Sequence, residues 1–187
     1  MLIRHAEPDP GGDGAGCAAI YAPFVEHTGI SFESEAPDGA EFARRIERLS
    51  ATHAFLVAED EQGLAGFAYA SPHRERAAYR WSTEVSVYCD PRAQGRGLGR
   101  ALYGQLLPLL ARQGMCTALA GVALPNPASV ALHQACGFKP IGVYHQIGFK
   151  LGQWLDVGWW ELPLQREPGP PRELTPAVRL TEPVQLD

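Results

Sequence analysis

The stretch DPRAQGRGLGRALYGQLL, residues 90–107, sets Gly95, Gly97 and Gly99 at alternate positions just ahead of a leucine-rich helical pattern, with Arg92, Arg96 and Arg100 interleaved. Glycines there let a backbone approach a ligand closely, and amides at a helix start present the positive ends of the peptide dipoles. The chemistry this arrangement offers is anion binding. A P-loop needs Lys and then Ser or Thr after its last glycine, whereas Arg100 and Ala101 follow Gly99. A dinucleotide fingerprint needs a third glycine where Arg100 stands. A phosphate carrier held without magnesium fits the stretch, and so does a turn that only caps a helix.

The rest of the chain bounds the partner. With 187 residues, 45% of them apolar or aromatic, there is enough material for one core. Sixteen Lys and Arg against 21 Asp and Glu give a net charge of −5, which disfavours non-specific nucleic-acid binding. The N-terminal residues have no long apolar stretch behind their charges, and no apolar run approaches bilayer length, so a cytoplasmic protein without a membrane partner is expected. Four cysteines without a CxxC pair and six histidines without an HExxH set imply free thiols and no metal. The expected partner is a small molecule.

The elements that must position the turn follow from periodicity. LIRHA reads as a strand, PDPGGDGAG as a loop and CAAIYAPFVEH as a helix, with a second helix over 41–49. Residues 54–59 and 64–70 read as a hairpin turning at Gly63. A strand over 82–89 enters the glycine turn. The helix beyond it carries Leu98, Leu102, Leu106 and Leu109 as a stripe that Pro108 is expected to bend or shorten. MCTALAGVAL is the next strand, PASVALHQACGF a short helix, and 139–151 and 153–164 two closing strands. The fold class is mixed α/β. Strand, glycine turn, helix and strand form a crossover unit, so 82–89 and 115–124 should run parallel as neighbours with the anion site at their carboxyl ends. Residues 1–164 read as one domain and 165–187 as a proline-rich tail, extended and either disordered or laid across another surface.

Gln94-Gly95-Arg96-Gly97-Leu98-Gly99, between a strand and a helix, resembles the (Q/R)-x-x-G-x-(G/A) signature of the GNAT N-acetyltransferases. The segments EHTGISFESE, FAYASPHRERAAYRW, EVSVY, LPNPASVALH and GFKLGQWLDVGWW, in that order, resemble the phosphinothricin N-acetyltransferases over nearly the whole chain. The loop PDPGGDGAG is longer and richer in glycine than is usual for that group. The resemblance implies the GNAT fold, a mixed and mostly antiparallel sheet with a splayed parallel strand pair and flanking helices. It also implies acetyl-CoA as cosubstrate, its pyrophosphate in the glycine turn and its pantetheine on the edge of a bulged strand at Val87, Tyr88 and Cys89. The acceptor it implies is the α-amino group of phosphinothricin or of a related glutamate-like amino acid such as methionine sulfoximine, and the assembly a homodimer whose closing segments help shape the cleft.

Acetyl transfer needs a neutral amine, and an ordinary α-amine titrates at about 7.7–8.0, so a base is required. Glu84 is the sole acid of 81–89, with Trp81 and Tyr88 nearby to limit water, and it matches the family's catalytic glutamate; the bland alternative is a strand-edge glutamate, solvated or paired with an arginine. His133 occupies the place where many relatives carry the tyrosine that protonates the leaving thiolate, and its rival reading is a packed helix residue. Arg92, Arg96 and Arg100 offer side-chain charge to phosphates, and Asn126 a hydrogen bond to pantetheine. Arg74, Arg76, Tyr79 and Phe32 match family positions at the acceptor site, and Tyr103, on the first turns of the cofactor helix, is a candidate to approach the acetyl site, each with a packing or surface reading beside it. His145, Lys150, Trp154 and Asp156 belong to the matching closing segment without individual roles. Two other readings stand: a GNAT enzyme acting on a different amine, and a non-catalytic acetyl-CoA-binding sensor.

Overall fold

The computed structural model describes residues 1–165 and 170–177. The elements are β1 (Leu2–His5), α1 (Asp13–His27), α2 (Gly39–Ser50), β2 (Phe55–Asp60), β3 (Gly63–Pro72), β4 (Ser82–Cys89), α3 (Leu98–Gln113), β5 (Thr117–Leu124), α4 (Pro127–Ala135), β6 (Lys139–Lys150) and β7 (Gln153–Pro163). Single 3-10 turns at Ala77–Tyr79 and Pro91–Ala93 flank β4. The seven strands form one sheet in the order β1-β2-β3-β4-β5-β7-β6. Every neighbouring pair is antiparallel except β4 and β5.

Alternation along the strands loads both faces. On one face α1 and α2 pack Ile20, Tyr21, Val25, Phe42, Ile46 and Leu49 against Phe55, Val57 and Phe67. On the other, α3 packs Leu98, Leu102, Leu106 and Leu110 against Leu56, Ala68, Val85, Ala118 and Val122. α2 begins at Gly39 rather than at residue 41 because the Asp38 side chain accepts from the Glu41 amide at 2.8 Å and caps it.

α1 begins four residues earlier than its apolar periodicity indicates. Asp13, nearly buried, receives both Arg4 guanidinium nitrogens at 2.7 and 2.9 Å and the Glu7 amide at 2.8 Å. A carboxylate so held is favoured at a helix start. Half of the glycine-rich loop is therefore helix. A Cβ on Gly14 would collide with the Gly39 carbonyl, and one on Gly39 with the Pro10 carbonyl, so these glycines let the two helix starts cross at contact distance.

Pro108 does not shorten α3, which runs on to Gln113. A proline inside a helix costs about 3 kcal/mol. Leu106, Leu109 and Leu110 are buried around it, and each such side chain returns about 1.5–3 kcal/mol. Packing therefore decides the helix.

β4 pairs with β5 only from Ser82↔Thr117 to Glu84↔Leu119. Beyond Glu84, β4 continues along β3 to Cys89↔Gly66, and β5 continues along β7 to Leu124↔Asp156. Each strand follows its antiparallel partner, and a wedge opens between them. The β3–β4 register runs without a shift, so the bulge implied by family resemblance is absent and the divergence alone opens the wedge.

Of the tail, residues 170–177 lie across the end of α3. Trp81 donates its indole N–H to the Arg172 carbonyl at 2.9 Å, the Thr175 amide donates to the Gln113 carbonyl at 2.8 Å, and Ala177 is buried. The remainder of the expected proline-rich tail, 166–169 and 178–187, lies outside the described residues. All four cysteines are free thiols. Among the described residues no helix is long and apolar enough to cross a membrane, and no group of three or more His, Cys, Asp or Glu is placed to hold a metal ion.

Candidate active site

A cleft of about 500 Å³ occupies the wedge. Val87, Tyr88 and Cys89 line it from β4, whose edge toward β5 has no strand partner beyond Glu84. Such an edge can take an extended, amide-bearing ligand as an added strand. At the mouth, Gly95 and Gly97 have φ of +73° and +80°, in the left-handed region where a side chain is strained. Gly97 caps α3 with no side-chain hydrogen bond, and Gln94, Gly95, Gly97, Leu98 and Gly99 all line the cleft. The Leu98 side chain also belongs to the core packed under α3. First-turn amides and helix dipole give a diphosphate cradle, and the strand edge suits the amides of a pantetheine arm. These residues fit a CoA thioester.

The three arginines of the turn have separate fates. Arg100 lines the cleft. Arg96 is exposed and does not line it. Arg92 is occupied elsewhere: it reaches Gln62 Oε1 at 2.7 Å, the Leu64 carbonyl at 2.8 Å and Asp60 at 3.2 Å, stapling the β2–β3 turn to the glycine turn. Its expected role as a phosphate ligand gives way to this structural one.

Across the cleft, Asn126 caps α4 by accepting the Ser129 amide at 3.1 Å, which leaves its side-chain N–H groups for the cleft it lines. His133 is buried beside it. Its Nδ1 lies 2.8 Å from the Ser129 carbonyl, which can only accept, so Nδ1 carries the hydrogen. Burial, only partly offset by that bond, lowers its pKa and favours the neutral ring. Nε2 of the neutral ring then accepts from the Tyr103 hydroxyl at 3.1 Å. His133 at rest therefore has no N–H to offer a thiolate. Tyr103, fully buried among the α3-side residues, belongs with His133 at the base of the cleft and does not line the basin beside the Arg74 loop. Burial raises its hydroxyl well above the usual tyrosine value, and pushes the Cys89 thiol up to about 11.

Glu84 sits at the last paired position of β4 and β5, where the cleft begins. Its Oε1 accepts from His73 Nδ1 at 2.8 Å, a contact that sequence reading missed. Trp81, expected to shield Glu84, instead bonds the tail and stacks under Arg80 at 4.0 Å. Tyr88 packs edge-on to Tyr21 and Phe24 on the α1 side of the sheet.

A second, open basin of about 620 Å³ is lined by Pro72, His73, Arg74, Glu75, Arg76 and Tyr79. Three of the acceptor-site residues expected from sequence thus come together. Phe32 does not line it; its ring packs against Gly148 of β6, where any Cβ would collide with it. The loop carrying Phe32 is tied to the same strand by Lys150, whose Nζ donates to the Val25 and Ser31 carbonyls, both at 2.6 Å. Trp159 of β7 covers Gly121 and lies 6.2 Å from the His73 ring.

Comparison with known proteins agrees with this geometry. The profile of the acetyltransferase (GNAT) family matches residues 21–138. A phosphinothricin N-acetyltransferase of Streptomyces viridochromogenes is 37% identical over 173 residues, covering 92% of this chain and 94% of the relative. An L-methionine sulfoximine/L-methionine sulfone acetyltransferase of Salmonella typhimurium is 33% identical over 174 residues, covering 91% and 98%. The crystal structure of a phosphinothricin acetyltransferase from Sinorhizobium meliloti, solved with acetyl-CoA, superposes with a TM-score of 0.86 at 34% identity, covering 94% of this chain and 95% of that one.

Proposed function

The chain belongs to the GNAT acetyltransferase family, and from that premise we propose that it acetylates the α-amino group of phosphinothricin or a related glutamate-like amino acid such as methionine sulfoximine, with Glu84 as general base. It is an acetyl-CoA-dependent N-acetyltransferase. Acetyl-CoA supplies the activated acyl group when bound. The observation that carries the reading is the position of Glu84, a carboxylate at the fork where the strand edge of the cleft begins and next to the basin of Arg74 and Arg76.

The chain's own residues then divide the work. Amides of the glycine turn hold the diphosphate end, and Val87, Tyr88 and Cys89 lay the pantetheine arm along β4. Glu84 takes a proton from the acceptor ammonium and frees its lone pair. Arg74 and Arg76 supply guanidinium partners for a carboxylate and a tetrahedral anionic head, with Tyr79 as a wall of their basin and Phe32, outside that basin against Gly148, as a wall on the β6 side. The Tyr103–His133 pair lies at the base of the cleft, and the Tyr103 hydroxyl serves the departing sulfur by giving up its hydrogen bond to His133 Nε2. Residues 1–164 form the catalytic domain.

A homodimer completes the proposal. β6 is an edge strand that exposes Ile141, Val143, Tyr144, Ile147 and Phe149 beside Trp154, an apolar face that a second copy would cover. Sedimentation of the protein, beside Ile147→Glu, checks it: a monomeric wild type overturns this part.

The activity is tested by following CoA thiol release with L-phosphinothricin, L-methionine sulfoximine, ordinary amino acids and spermidine. Saturable release with the first two, lost in Glu84→Gln near neutral pH and partly recovered at higher pH, supports substrate class and base together. Release with spermidine alone overturns the acceptor. Binding of acetyl-CoA with no release from any amine favours the sensor reading.

A further inference from the structure

Glu84 lines neither the cleft nor the basin, but the residue it bonds, His73, lines the basin. The β3–β4 register sets Ser71 opposite Glu84 and Pro72 opposite Thr83. The Thr83 hydroxyl fixes that crossing by donating to the Ser71 carbonyl at 2.8 Å. The next residue, His73, places Nδ1 2.8 Å from Glu84 Oε1. Its ring is held edge-on by Tyr79 at 5.6 Å and Trp159 at 6.2 Å. The His73 side chain is 16% exposed and that of Glu84 33%. The other groups facing the pair are Tyr69 from β3, and Arg74, Glu75 and Arg76 around the basin.

We infer that His73 is a positioning residue for Glu84: its Nδ1–H engages Oε1 and leaves Oε2 as the oxygen that receives the acceptor's proton. This rests on the reading of Glu84 as base. A carboxylate only accepts, so Nδ1 is the donor. In the step itself an N–H bond of the substrate ammonium breaks, an Oε2–H bond forms, and the lone pair stays on the amine nitrogen. One consequence follows from the geometry. One oxygen committed to a ring walled on both sides fixes the carboxylate plane, so no rotamer search precedes proton transfer. A histidine serving only to fill space between Tyr79 and Trp159 would not do this.

The test compares His73→Phe, His73→Asn and Glu84→Gln, with circular dichroism and acetyl-CoA affinity measured on each, and L-phosphinothricin and L-methionine sulfoximine as acceptors. Phenylalanine keeps a ring and removes the donor; the asparagine amide restores a donor close to the place of Nδ1. The expected result for His73→Phe is a fall in kcat of about tenfold with an unaltered KM for acetyl-CoA. His73→Asn, which restores the donor, is expected to recover most of kcat. A kcat that His73→Asn fails to recover, or a His73→Phe whose loss lies in KM for acetyl-CoA instead of kcat, overturns the inference. If Glu84→Gln retains kcat, the base reading falls and the inference with it. If Glu84→Gln is inactive while His73→Phe behaves as wild type, only the inference about His73 falls.

Discussion

Tyr103 and His133 form a buried pair whose direction is fixed from one end. Nδ1 of His133 is committed to the Ser129 carbonyl at 2.8 Å, so Nε2 accepts and Tyr103 donates across 3.1 Å. Both line the cleft. Tyr103→Phe removes that donor and leaves Nε2 unsatisfied in a desolvated place, which costs about 1–3 kcal/mol. The expected outcome is a lower denaturation midpoint together with a fall in kcat of about tenfold or more at saturating acetyl-CoA. Steady-state kinetics beside urea denaturation separate the two effects, and a stable variant with full kcat removes Tyr103 from the reaction.

Acid sensitivity of the fold follows from three histidines. Burial lowers the pKa of His5, His53 and His133 below the usual 6.5. Below that value the unfolded chain binds protons that the native state refuses, so stability is undiminished above about pH 6.5 and declines as pH falls toward the lowered native values. Each histidine contributes a slope of up to about 1.4 kcal/mol per pH unit within that window. His53, whose Nδ1 pairs with Thr52 Oγ1 at 2.8 Å, lies outside the cleft and the basin. His53→Gln is expected to flatten the acid slope by one proton, as measured by chemical denaturation at a series of pH values. An unaltered slope removes His53 from the acid response.

The glycine turn separates binding from chemistry. Gly97 has φ of +80° and no heavy atom within 4 Å of an added Cβ, so Gly97→Ala is penalised by backbone strain rather than by collision. That strain is about 1 kcal/mol. Relief of the strain moves the amides that cap α3, and the expected result is a higher KM for acetyl-CoA with kcat at saturation nearly retained. A fall in kcat without a change in that KM contradicts the assignment of the turn to the diphosphate.

What could be read from the chain differs by physical cause. The glycine turn and its helix are local features, since three glycines and a leucine stripe specify both within twenty residues, and the structure places them where the pattern indicates. The start of α1 was not legible because Asp13 is drawn into the helix by Arg4, a partner from β1 that periodicity does not register. Pro108 marks a break only where local propensity decides, and three buried leucines outweigh it. Arg92 looks like any other arginine of a phosphate turn, and only the folded β2–β3 hairpin reveals the carbonyls that claim it. His73 was hidden in a basic loop, and its meaning comes from a strand register that pairs Ser71 with Glu84. The direction of the Tyr103–His133 bond depends on a backbone carbonyl one helical turn away, a contact with no signature in residue type.

The last prediction concerns the loop between α1 and α2 that carries Phe32. Its chain leaves α1 at His27 and returns to helix at Gly39, and two contacts hold it to β6. Lys150 donates to the carbonyls of Val25 and Ser31, and Phe32 packs on Gly148. Val25 is in the last turn of α1, so the ammonium also meets the negative end of that helix. Lys150→Met keeps the stem and removes the charge, leaving two carbonyls without their donor, a loss of about 2 kcal/mol. The glycine turn and β4 edge make no contact through Lys150, so KM for acetyl-CoA is expected to stay put. Phe32 loses its anchor, and KM for the amino-acid acceptor is expected to rise several-fold, by about 1 kcal/mol of binding. A larger residue at Gly148 displaces the same ring by collision, so Gly148→Val should raise the acceptor KM in the same way while leaving the Lys150 hydrogen bonds in place. If both variants fold and neither changes the acceptor KM, Phe32 is not a wall of the acceptor site.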